Sequence, residues 1–458
     1  MKNEEGRMKD RAGYGMWNEE CQMTNKSILN SAFCILQSAL VLVGLLMPAL
    51  RAQTPMPATP QTPAAPPTAP RQGESLTLTR LEQLAEQYHP ILPRDRAQID
   101  AALGRATQAG MWRNPRFSDA NPQTFAGRNT LQYVGISQEI PVMGKLRLEG
   151  AAANEVAHQQ EFNYGQDRYQ LFTNIRQQFY QLLADQRRIQ VLEEMVNVVR
   201  RSYEMGEQKR KAGVSSPADV LLLRLDVQRA EANLLSARAL LEGDRKQMGA
   251  IVGVPGLVDR DVFGELSGDY PIFDEEGIKR YVSAQNTRIR IAQAVVAQYQ
   301  LQLRRAEVEP YPNPFLGPAY QYGLTPGAEQ FWLNIQFDIP VWNRNQGGIR
   351  EARGKLLAAQ KDLATIQFDL LNRAHDLYGQ YQAARAVVRK FEAEILPNAR
   401  ELLRLAREGY GKGLTDFATF LQVQRGVVQA NLDYVTALTD LWMNAVQLAG
   451  LLQLEKFR

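Results

Sequence analysis

The chain has 458 residues, of which 53 are Lys or Arg and 49 are Asp or Glu, giving a formal net charge of +4 at pH 7. Basic and acidic residues are intermixed, so no basic block follows a phosphate backbone, and nucleic acid is excluded as an expected partner. The two cysteines, Cys21 and Cys34, both lie near the N-terminus. A mature chain that begins after them has neither a disulfide nor a thiolate metal site.

The N-terminal segment has the pattern of an export signal. The apolar run 28–50 follows Lys26 and precedes Ala52, a small residue that suits a cleavage site. We therefore interpret residues 1–52 as a signal peptide. A membrane-anchoring helix is the alternative, because the run is long enough to cross a bilayer. Residues 53–75 are rich in proline and contain no aromatic residue, which predicts an extended linker.

Three short features recur about 200 residues later, far beyond the 20 to 50 residues of solenoid repeats. The first two recur after 199 residues and the third after 200. They are Asn114-Pro115 with Asn313-Pro314, Ile140-Pro141 with Ile339-Pro340, and Gly213 with Gly413. This spacing indicates a duplicated half-molecule, with a first repeat over residues 76–270 and a second over 271–458.

Each repeat is predicted to begin with one helix, over residues 76–109 in the first and 276–309 in the second. The second of these helices ends at a proline-rich stretch, "PYPNP", that cannot be helical. Two strands follow in each repeat, at about 113–140 and at about 314–340.

The strand pattern is clearest in the second repeat, where apolar and polar residues alternate with a period of two. The apolar positions are Phe331, Leu333, Ile335, Phe337 and Ile339, and the first repeat offers Val134, Ile136 and Ile140. A run of about ten such residues suits a tilted strand that crosses a bilayer. A half-buried strand of a soluble sheet is the alternative, and the export signal favours the membrane.

Residues 146–212 and 348–411 are each predicted to form one helix of roughly 65 residues, on the order of 95 Å long. Tight turns at 211–217 and 411–416 end these helices, and a further helix follows each turn. The following helices carry apolar heptad positions typical of coiled coils. These positions are Val220, Val227, Leu234, Leu241 and Met248 in the first repeat, and Phe420, Val427, Tyr434, Leu441 and Leu448 in the second.

Four strands cannot close a membrane barrel, because the smallest such barrels have about eight. Open strand edges are not tolerated in lipid, so other copies of the chain must complete the sheet. Oligomerisation is therefore a requirement of this interpretation.

The repeat, the strands, the heptads and the export signal together resemble the TolC family of outer-membrane efflux proteins, over about residues 76–455. Within that family, "SQEIPVMGK" (137–145) and "IPVWNRNQGGI" (339–349) are most similar to the branch that serves heavy-metal pumps of the resistance-nodulation-division type. The resemblance implies a mainly α fold with transmembrane β-strands, in a trimer that forms a twelve-stranded barrel and a periplasmic helical tunnel. It also implies a passive exit duct that works with a periplasmic adaptor, an inner-membrane pump and outer-membrane lipid.

Within this architecture, the junction from strand to long helix is predicted to have a structural role. The prolines end each strand by removing a backbone donor, while glycines and basic residues redirect the chain into the helix and polar side chains satisfy its first backbone groups. The junction residues are Pro141, Gly144, Lys145, Pro340, Arg344, Asn345, Gly347 and Gly348.

The resemblance also implies a constriction at the periplasmic tips, where Asp219 matches the acidic position of the first tip and Tyr410 the aromatic position of the second. Thr419 and Gln422 stand where other members have two aspartates, and Thr415 stands where a basic partner is found. This departure argues against a strongly cation-selective ring. Asp416 is predicted to cap the helix that follows the second turn.

No catalytic, cofactor or metal site is predicted. His89, His158 and His375 are isolated from one another, and the sequence contains no nucleophile elbow, phosphate loop or dinucleotide turn. Two other functions remain open: a duct for drug or protein export, and a secreted coiled-coil structural protein.

Overall fold

A computed structural model describes residues 76–120, 131–213, 215–257, 261–323, 329–412 and 414–455. The predicted signal peptide and linker, residues 1–75, lie outside this described part. Within it, none of the helices combines the length and the apolar character needed to cross a bilayer.

The same order of elements occurs in both halves of the described chain. The first half contains α1 (Leu78–Tyr88), α2 (Ile91–Gly110), β1 (Arg116–Ala120), β2 (Leu131–Glu139), α3 (Lys145–Lys211) and α4 (Pro217–Val252). The second half contains α5 (Glu275–Gln285), α6 (Thr287–Val308), β3 (Phe315–Gly323), β4 (Gln330–Gln336), α7 (Gln346–Lys390), α8 (Leu396–Gly411) and α9 (Phe417–Leu451).

The prediction of one continuous leading helix in each half is wrong. His89 between α1 and α2 has an extended backbone (ψ 126°), because a residue before proline disfavours the helical conformation. Asn286 between α5 and α6 is also extended (ψ 131°), and its side chain accepts a hydrogen bond from the Arg288 N–H at 3.0 Å. Asn286 therefore ends one helix and caps the next.

The two long helical segments differ. Helix α3 runs without interruption for 67 residues, as predicted. Its counterpart is divided by a π-helical turn, Phe391–Ile395, into α7 and α8, so the prediction of one helix over 348–411 is wrong. Pro397 lies in the first turn of α8, where it provides no N–H. In an uninterrupted α-helix its ring would collide with the carbonyl four residues before it.

The main core lies where α3, α4, α7 and α9 pack together with the segment that follows α4. Tyr180 stacks on Trp442 with ring centroids 4.0 Å apart, and the Trp442 indole N–H donates to the Leu266 carbonyl at 2.7 Å. The predicted heptad positions are buried along α4 and α9, and Leu241, Met248 and Leu441 belong to this main core. Val220, Phe420, Val427 and Leu448 are buried elsewhere along the two helices, and Val227, Leu234 and Tyr434 are partly buried. The heptad seam is thus confirmed in both halves.

The four strands form one antiparallel sheet in the order β1, β2, β3, β4. The two halves of the chain meet in this sheet, because β2 pairs with β3. Strands β2 and β4 lead directly into α3 and α7, so the sheet lies at the N-terminal end of these two long helices.

Candidate functional site

One face of the sheet is apolar and exposed. The register places Leu316 opposite Ile335, Pro318 opposite Leu333 and Tyr320 opposite Phe331, and side chains of directly opposed residues share a face. Phe331, Leu333 and Ile335 are 74, 58 and 57% exposed. Phe117 on β1, opposite Ile136 on β2, extends the same face.

The opposite face, called the polar face below, carries mainly small and polar residues, among them Ser118, Ser137, Ala319 and Asn334, and also the exposed Trp332 opposite Ala319. A Cβ atom at Gly135 would lie 3.2 Å from both Ala319 Cβ and Ser118 Oγ, so a larger residue crowds this face. Gly135 lies between the predicted apolar positions Val134 and Ile136, so the period of two places it on the other face. The sequence does not predict this close approach, because it depends on the packing of three strands.

Both ends of the described sheet are edge strands, β1 on one side and β4 on the other. An edge strand presents unpaired backbone N–H and C=O groups that another strand can satisfy. A sheet with one exposed apolar face and two open edges is therefore an incomplete unit.

The first junction ties the two halves together. Gly144 precedes α3 with a left-handed backbone (φ 68°), a conformation that favours glycine, and the Ile140 N–H just before Pro141 makes a final bond to the Pro314 carbonyl at 2.9 Å. Lys145 is only 4% exposed. Its ammonium donates to the Glu309 carbonyl at 3.3 Å and also to the Tyr311 carbonyl. Lys145 thus anchors the start of α3 to the end of α6.

The second junction uses polar side chains. Asn345 precedes α7 with a left-handed backbone (φ 57°), and its Nδ2 donates to the Ala306 carbonyl at 2.9 Å instead of capping α7. Gln346 Oε1 accepts from the Arg344 N–H at 3.1 Å. A Cβ atom at Gly348 would lie 2.3 Å from Asn345 Oδ1, whereas one at Gly347 would meet no atom within 4 Å. Gly348 therefore makes room for the Asn345 side chain.

The prediction that Pro340 ends the strand is not supported. Strand β4 ends at Gln336, which is opposite Phe315, the first residue of β3. Phe337 and Ile339, predicted to continue the strand, lie beyond that end and are exposed. In this chain, β4 ends where its partner strand ends, before the proline is reached.

At the first tip, a capping box forms the start of α4. The Asp219 N–H donates to Ser216 Oγ at 3.2 Å, and the Ser216 N–H donates to Asp219 Oδ2 at 3.0 Å. Hydrogen bonding of its carboxylate by Ser216 lowers the pKa of Asp219. The carboxylate of Asp219 is therefore hydrogen-bonded at the start of α4.

The second tip lacks such a cap. Asp416 occupies the capping position before α9, but its side chain makes no capping hydrogen bond, so the predicted role for its carboxylate is wrong. Gly409 explains the tightness of this turn, because a Cβ atom there would lie 2.3 Å from Thr415 Oγ1. Thr419 and Gln422 are exposed and follow on α9.

Tyr410 joins the two tips. Its ring stacks on Phe420 with centroids 5.0 Å apart, and Lys209 Nζ lies 4.3 Å from the centroid of the Tyr410 ring. The Lys209 ammonium also donates to the Tyr410 hydroxyl. Lys209 belongs to the first half and Tyr410 to the second, so this contact connects the two hairpins within one chain.

Two further contacts between the hairpins were not predicted from the sequence. Arg425 on α9 forms an ion pair with Asp226 on α4, and Ser202 Oγ on α3 donates to Gln424 Oε1 at 3.2 Å. Asp226 and Arg425 are separated by 199 residues, and nothing in the local pattern of either helix relates them.

The histidines do not gather into a site in the described part of the chain, where no group of three or more His, Cys, Asp or Glu side chains could hold a metal ion. His89 accepts a hydrogen bond from the Ile91 N–H at its Nδ1, at 3.3 Å. Burial lowers the pKa of His89. Its contacts belong to the break between α1 and α2.

The family model of the outer membrane efflux proteins matches residues 81–254 and 324–452. The cobalt-zinc-cadmium resistance protein CzcC of Cupriavidus metallidurans is 20% identical over 84% of this chain and 92% of its own length. The antibiotic efflux pump outer membrane protein ArpC of Pseudomonas putida is 22% identical over 67% of this chain and 66% of its own length.

A solved structure has the same fold. The outer membrane protein VceC of Vibrio cholerae superimposes with a TM-score of 0.69 at 17% identity, over 82% of this chain and 96% of VceC. The family model covers more than half of the chain. The chain therefore belongs to the outer membrane efflux protein family, a family of outer-membrane channels that reach into the periplasm and not a family of enzymes.

Proposed function

We propose that the chain is the exit duct of a tripartite efflux system and that three copies form one duct. The observation that carries this proposal is the four-stranded sheet with an exposed apolar face and two open edges. Pairing β1 of one copy with β4 of the next satisfies both edges, and three copies give twelve strands. The apolar face then lies against lipid and the polar face lines the duct.

Exposed aromatic residues at the junctions support a membrane boundary at that level. Trp112 follows α2, Tyr311 follows α6 and Trp342 precedes α7, and they are 59, 52 and 89% exposed. Tryptophan and tyrosine are enriched where a bilayer meets water, because one end of the side chain is apolar and the other is polar. We therefore place one boundary of the lipid bilayer at the level where the sheet meets the helices.

The helices offer a matching contact between copies. In one chain, α4 packs on α3, α3 on α9, and α9 on both α7 and α8, so α4 and α8 lie at opposite sides of this row. Both carry exposed leucines: Leu221, Leu222, Leu225, Leu235 and Leu240 on α4, and Leu402 and Leu405 on α8. A contact from α4 of one copy to α8 of the next repeats around a closed ring.

The tip contacts support a closed resting state. Lys209 with Tyr410 and Asp226 with Arg425 hold the two hairpins of one chain together. Asp219, Thr419, Gln422 and Tyr410 are the proposed tip residues. We assign the opening step to a periplasmic adaptor that docks on these tips, and the driving energy to an inner-membrane pump of the resistance-nodulation-division type.

Heavy-metal cations are the proposed substrates. CzcC, a cobalt-zinc-cadmium resistance protein, matches 84% of this chain, against 67% for ArpC, an antibiotic efflux protein. Drug export is the second candidate. It is supported by ArpC and by two further relatives at 22% identity, a probable efflux pump outer membrane protein and a toluene efflux pump outer membrane protein, both named TtgC. Strains that lack the gene should lose resistance to zinc, cadmium or cobalt, whereas a loss of antibiotic or toluene resistance alone would favour the second candidate.

The assembly is tested by placing one arginine on each face of β4. Leu333→Arg puts a charge on the apolar face, where it costs about 2 to 4 kcal/mol near the middle of a bilayer, whereas Asn334→Arg puts the same charge on the polar face. We expect Asn334→Arg to yield a trimer in the outer-membrane fraction and Leu333→Arg to fail to assemble. Equal yields of trimer, measured by detergent extraction and particle mass, would contradict the lipid-facing assignment.

A further inference from the structure

The π-helical turn marks the place where the two halves differ in length. The repeated features before it recur after 199 residues and the glycine beyond it recurs after 200, so the second long segment has one extra residue. The Leu396 N–H donates to the Phe391 carbonyl, five residues back, where an α-helix would use four. The extra residue is therefore taken up inside Phe391–Ile395.

The α-helical hydrogen bonding of the backbone is interrupted at this turn. Pro397, two residues after the turn, has no N–H and leaves a carbonyl of the preceding turn without its helical donor. In α3, the equivalent stretch is regular helix. Sharp bends in long helices occur at proline and at π-turns, and both occur here within seven residues.

Packing changes across the turn. Before the turn, α7 packs on α5, α6 and α9, and it buries Leu370, Ala374, Leu377, Tyr381 and Val388. After the turn, α8 packs mainly on α9, and its described buried side chains are Leu396 and Ala406. Within one chain, the part after the turn therefore has much less apolar contact to hold it.

One carboxylate holds the turn in place. Glu392 Oε1 accepts from the Tyr270 hydroxyl at 2.6 Å and from the Tyr434 hydroxyl at 2.8 Å. Tyr270 lies in the segment that joins the two halves, and Tyr434 lies on α9. Burial and the Glu392 carboxylate raise the pKa of Tyr434 to about 12, so its hydroxyl remains protonated and able to donate.

We propose that the π-turn is a hinge between α7 and α8, and that the Tyr270–Glu392–Tyr434 cluster is the clamp that holds it. Releasing the clamp frees α8 to move relative to α7 while α3 stays a single rigid helix. The consequence for transport, an easier opening of the periplasmic end, rests on the proposed function. The hinge itself does not depend on it.

The clamp is tested by hydrogen–deuterium exchange of the detergent-solubilised protein. Glu392→Ala removes the acceptor, and the double variant Tyr270→Phe with Tyr434→Phe removes both donors while keeping the rings. Glu394→Ala is the matched control, because Glu394 lies in the same turn and, in the part of the chain that the structure describes, pairs with Lys390 and not with the clamp. We expect amides of residues 396–411 to exchange about tenfold faster in both clamp variants, because both hydrogen bonds that hold the turn are lost.

A converse variant removes the hinge. Deletion of Ala393 combined with Pro397→Ala gives the second segment the length and backbone bonding of α3, and exchange in 396–411 should then be slower than in the unaltered protein. The hinge would be overturned if the clamp variants exchanged no faster than the Glu394→Ala control. It would also be overturned if exchange in the deletion variant were not slower than in the unaltered protein.

Conductance in planar bilayers separates the hinge from the proposed function. We expect larger conductance in the clamp variants and smaller conductance in the deletion variant. An unaltered protein that forms no trimer in the outer-membrane fraction would contradict the exit duct, and the exchange experiment would still decide the hinge.

Discussion

The hairpin of the first half, α3 with α4, and that of the second half, α7 and α8 with α9, contain helices of nearly equal length but differ in how firmly each tip is built. In the first, Gly206 lets α4 approach so closely that a Cβ atom there would lie 2.4 Å from Leu223 Cδ1. At the equivalent positions, 200 residues on, the second hairpin has Ala406 and Val423. The first tip is also capped by Ser216 and Asp219, and the second is not capped by Asp416.

This difference teaches that a duplicated sequence need not give two mechanically equal halves. A close glycine contact and a capping box stabilise one hairpin, while a π-turn and a proline weaken the other. The pair Lys209 and Tyr410 then attaches the weaker tip to the firmer one.

The largest expected effect concerns a carboxyl pair that occurs only in the first half. Asp185 on α3 is 5% exposed, and burial together with its hydrogen bond to Asp244 on α4 raises its pKa to about 6, from 3.8. The equivalent residues of the second half are Ala384 and Asn444. Between pH 3.8 and 6 the folded chain holds a proton that the unfolded chain has released, so stability falls as pH rises through this window and stays lower above it.

Asp185→Asn should therefore stabilise the protein at pH 7.5 by up to about 3 kcal/mol and change it little at pH 4, because the amide keeps the neutral hydrogen bond. The measurement is the urea midpoint of the purified protein at both pH values. Asn444→Asp is the control, for which we expect no such dependence. If the stability of Asp185→Asn and that of the unaltered protein depended equally on pH, the raised pKa of Asp185 would be contradicted.

The next effect concerns helix packing at the first tip. Gly206→Val inserts a branched side chain against Leu223, which is 2% exposed and has little room to move, at a cost of about 1 to 3 kcal/mol. Gly243→Val on α4 is the control, because a Cβ atom there meets nothing within 4 Å. A shared urea midpoint for the two variants would mean that the close approach of α3 and α4 does not stabilise this hairpin.

A smaller effect is expected at the junctions. Gly144→Ala places a Cβ atom on a left-handed residue (φ 68°) at a cost of about 1 to 2 kcal/mol. Gly347→Ala in the second junction adds a methyl group into open space, and we expect no loss of stability. Thermal denaturation midpoints of the two variants compare the junctions directly, and the prediction fails if Gly347→Ala is the more harmful.

The smallest effect is expected from the caps. Ser216→Ala should cost about 1 kcal/mol and speed amide exchange in the first turn of α4, because it removes the side-chain acceptor. Asp416→Ala should change exchange at the start of α9 much less, since Asp416 makes no capping bond. If the two substitutions had equal effects, the tips would not differ in the way described.

Local sequence patterns determined much of this architecture. The period of two identified the apolar face of β4, and the heptads identified the buried seams of α4 and α9, because both patterns arise from the geometry of a single strand or helix. The sequence also showed that the second long segment has one more residue than the first, because features before it recur after 199 residues and Gly213 recurs after 200.

Only the tertiary structure decided where that residue lies and what it does. An extra residue in a long helix can be absorbed at many positions, and its place at Phe391–Ile395 depends on Pro397 together with Tyr270 and Tyr434, which come from distant parts of the chain. The same reason applies to the burial of Lys145 and to the pair Asp226 and Arg425. Their partners lie more than 150 residues away, beyond the reach of any periodic pattern.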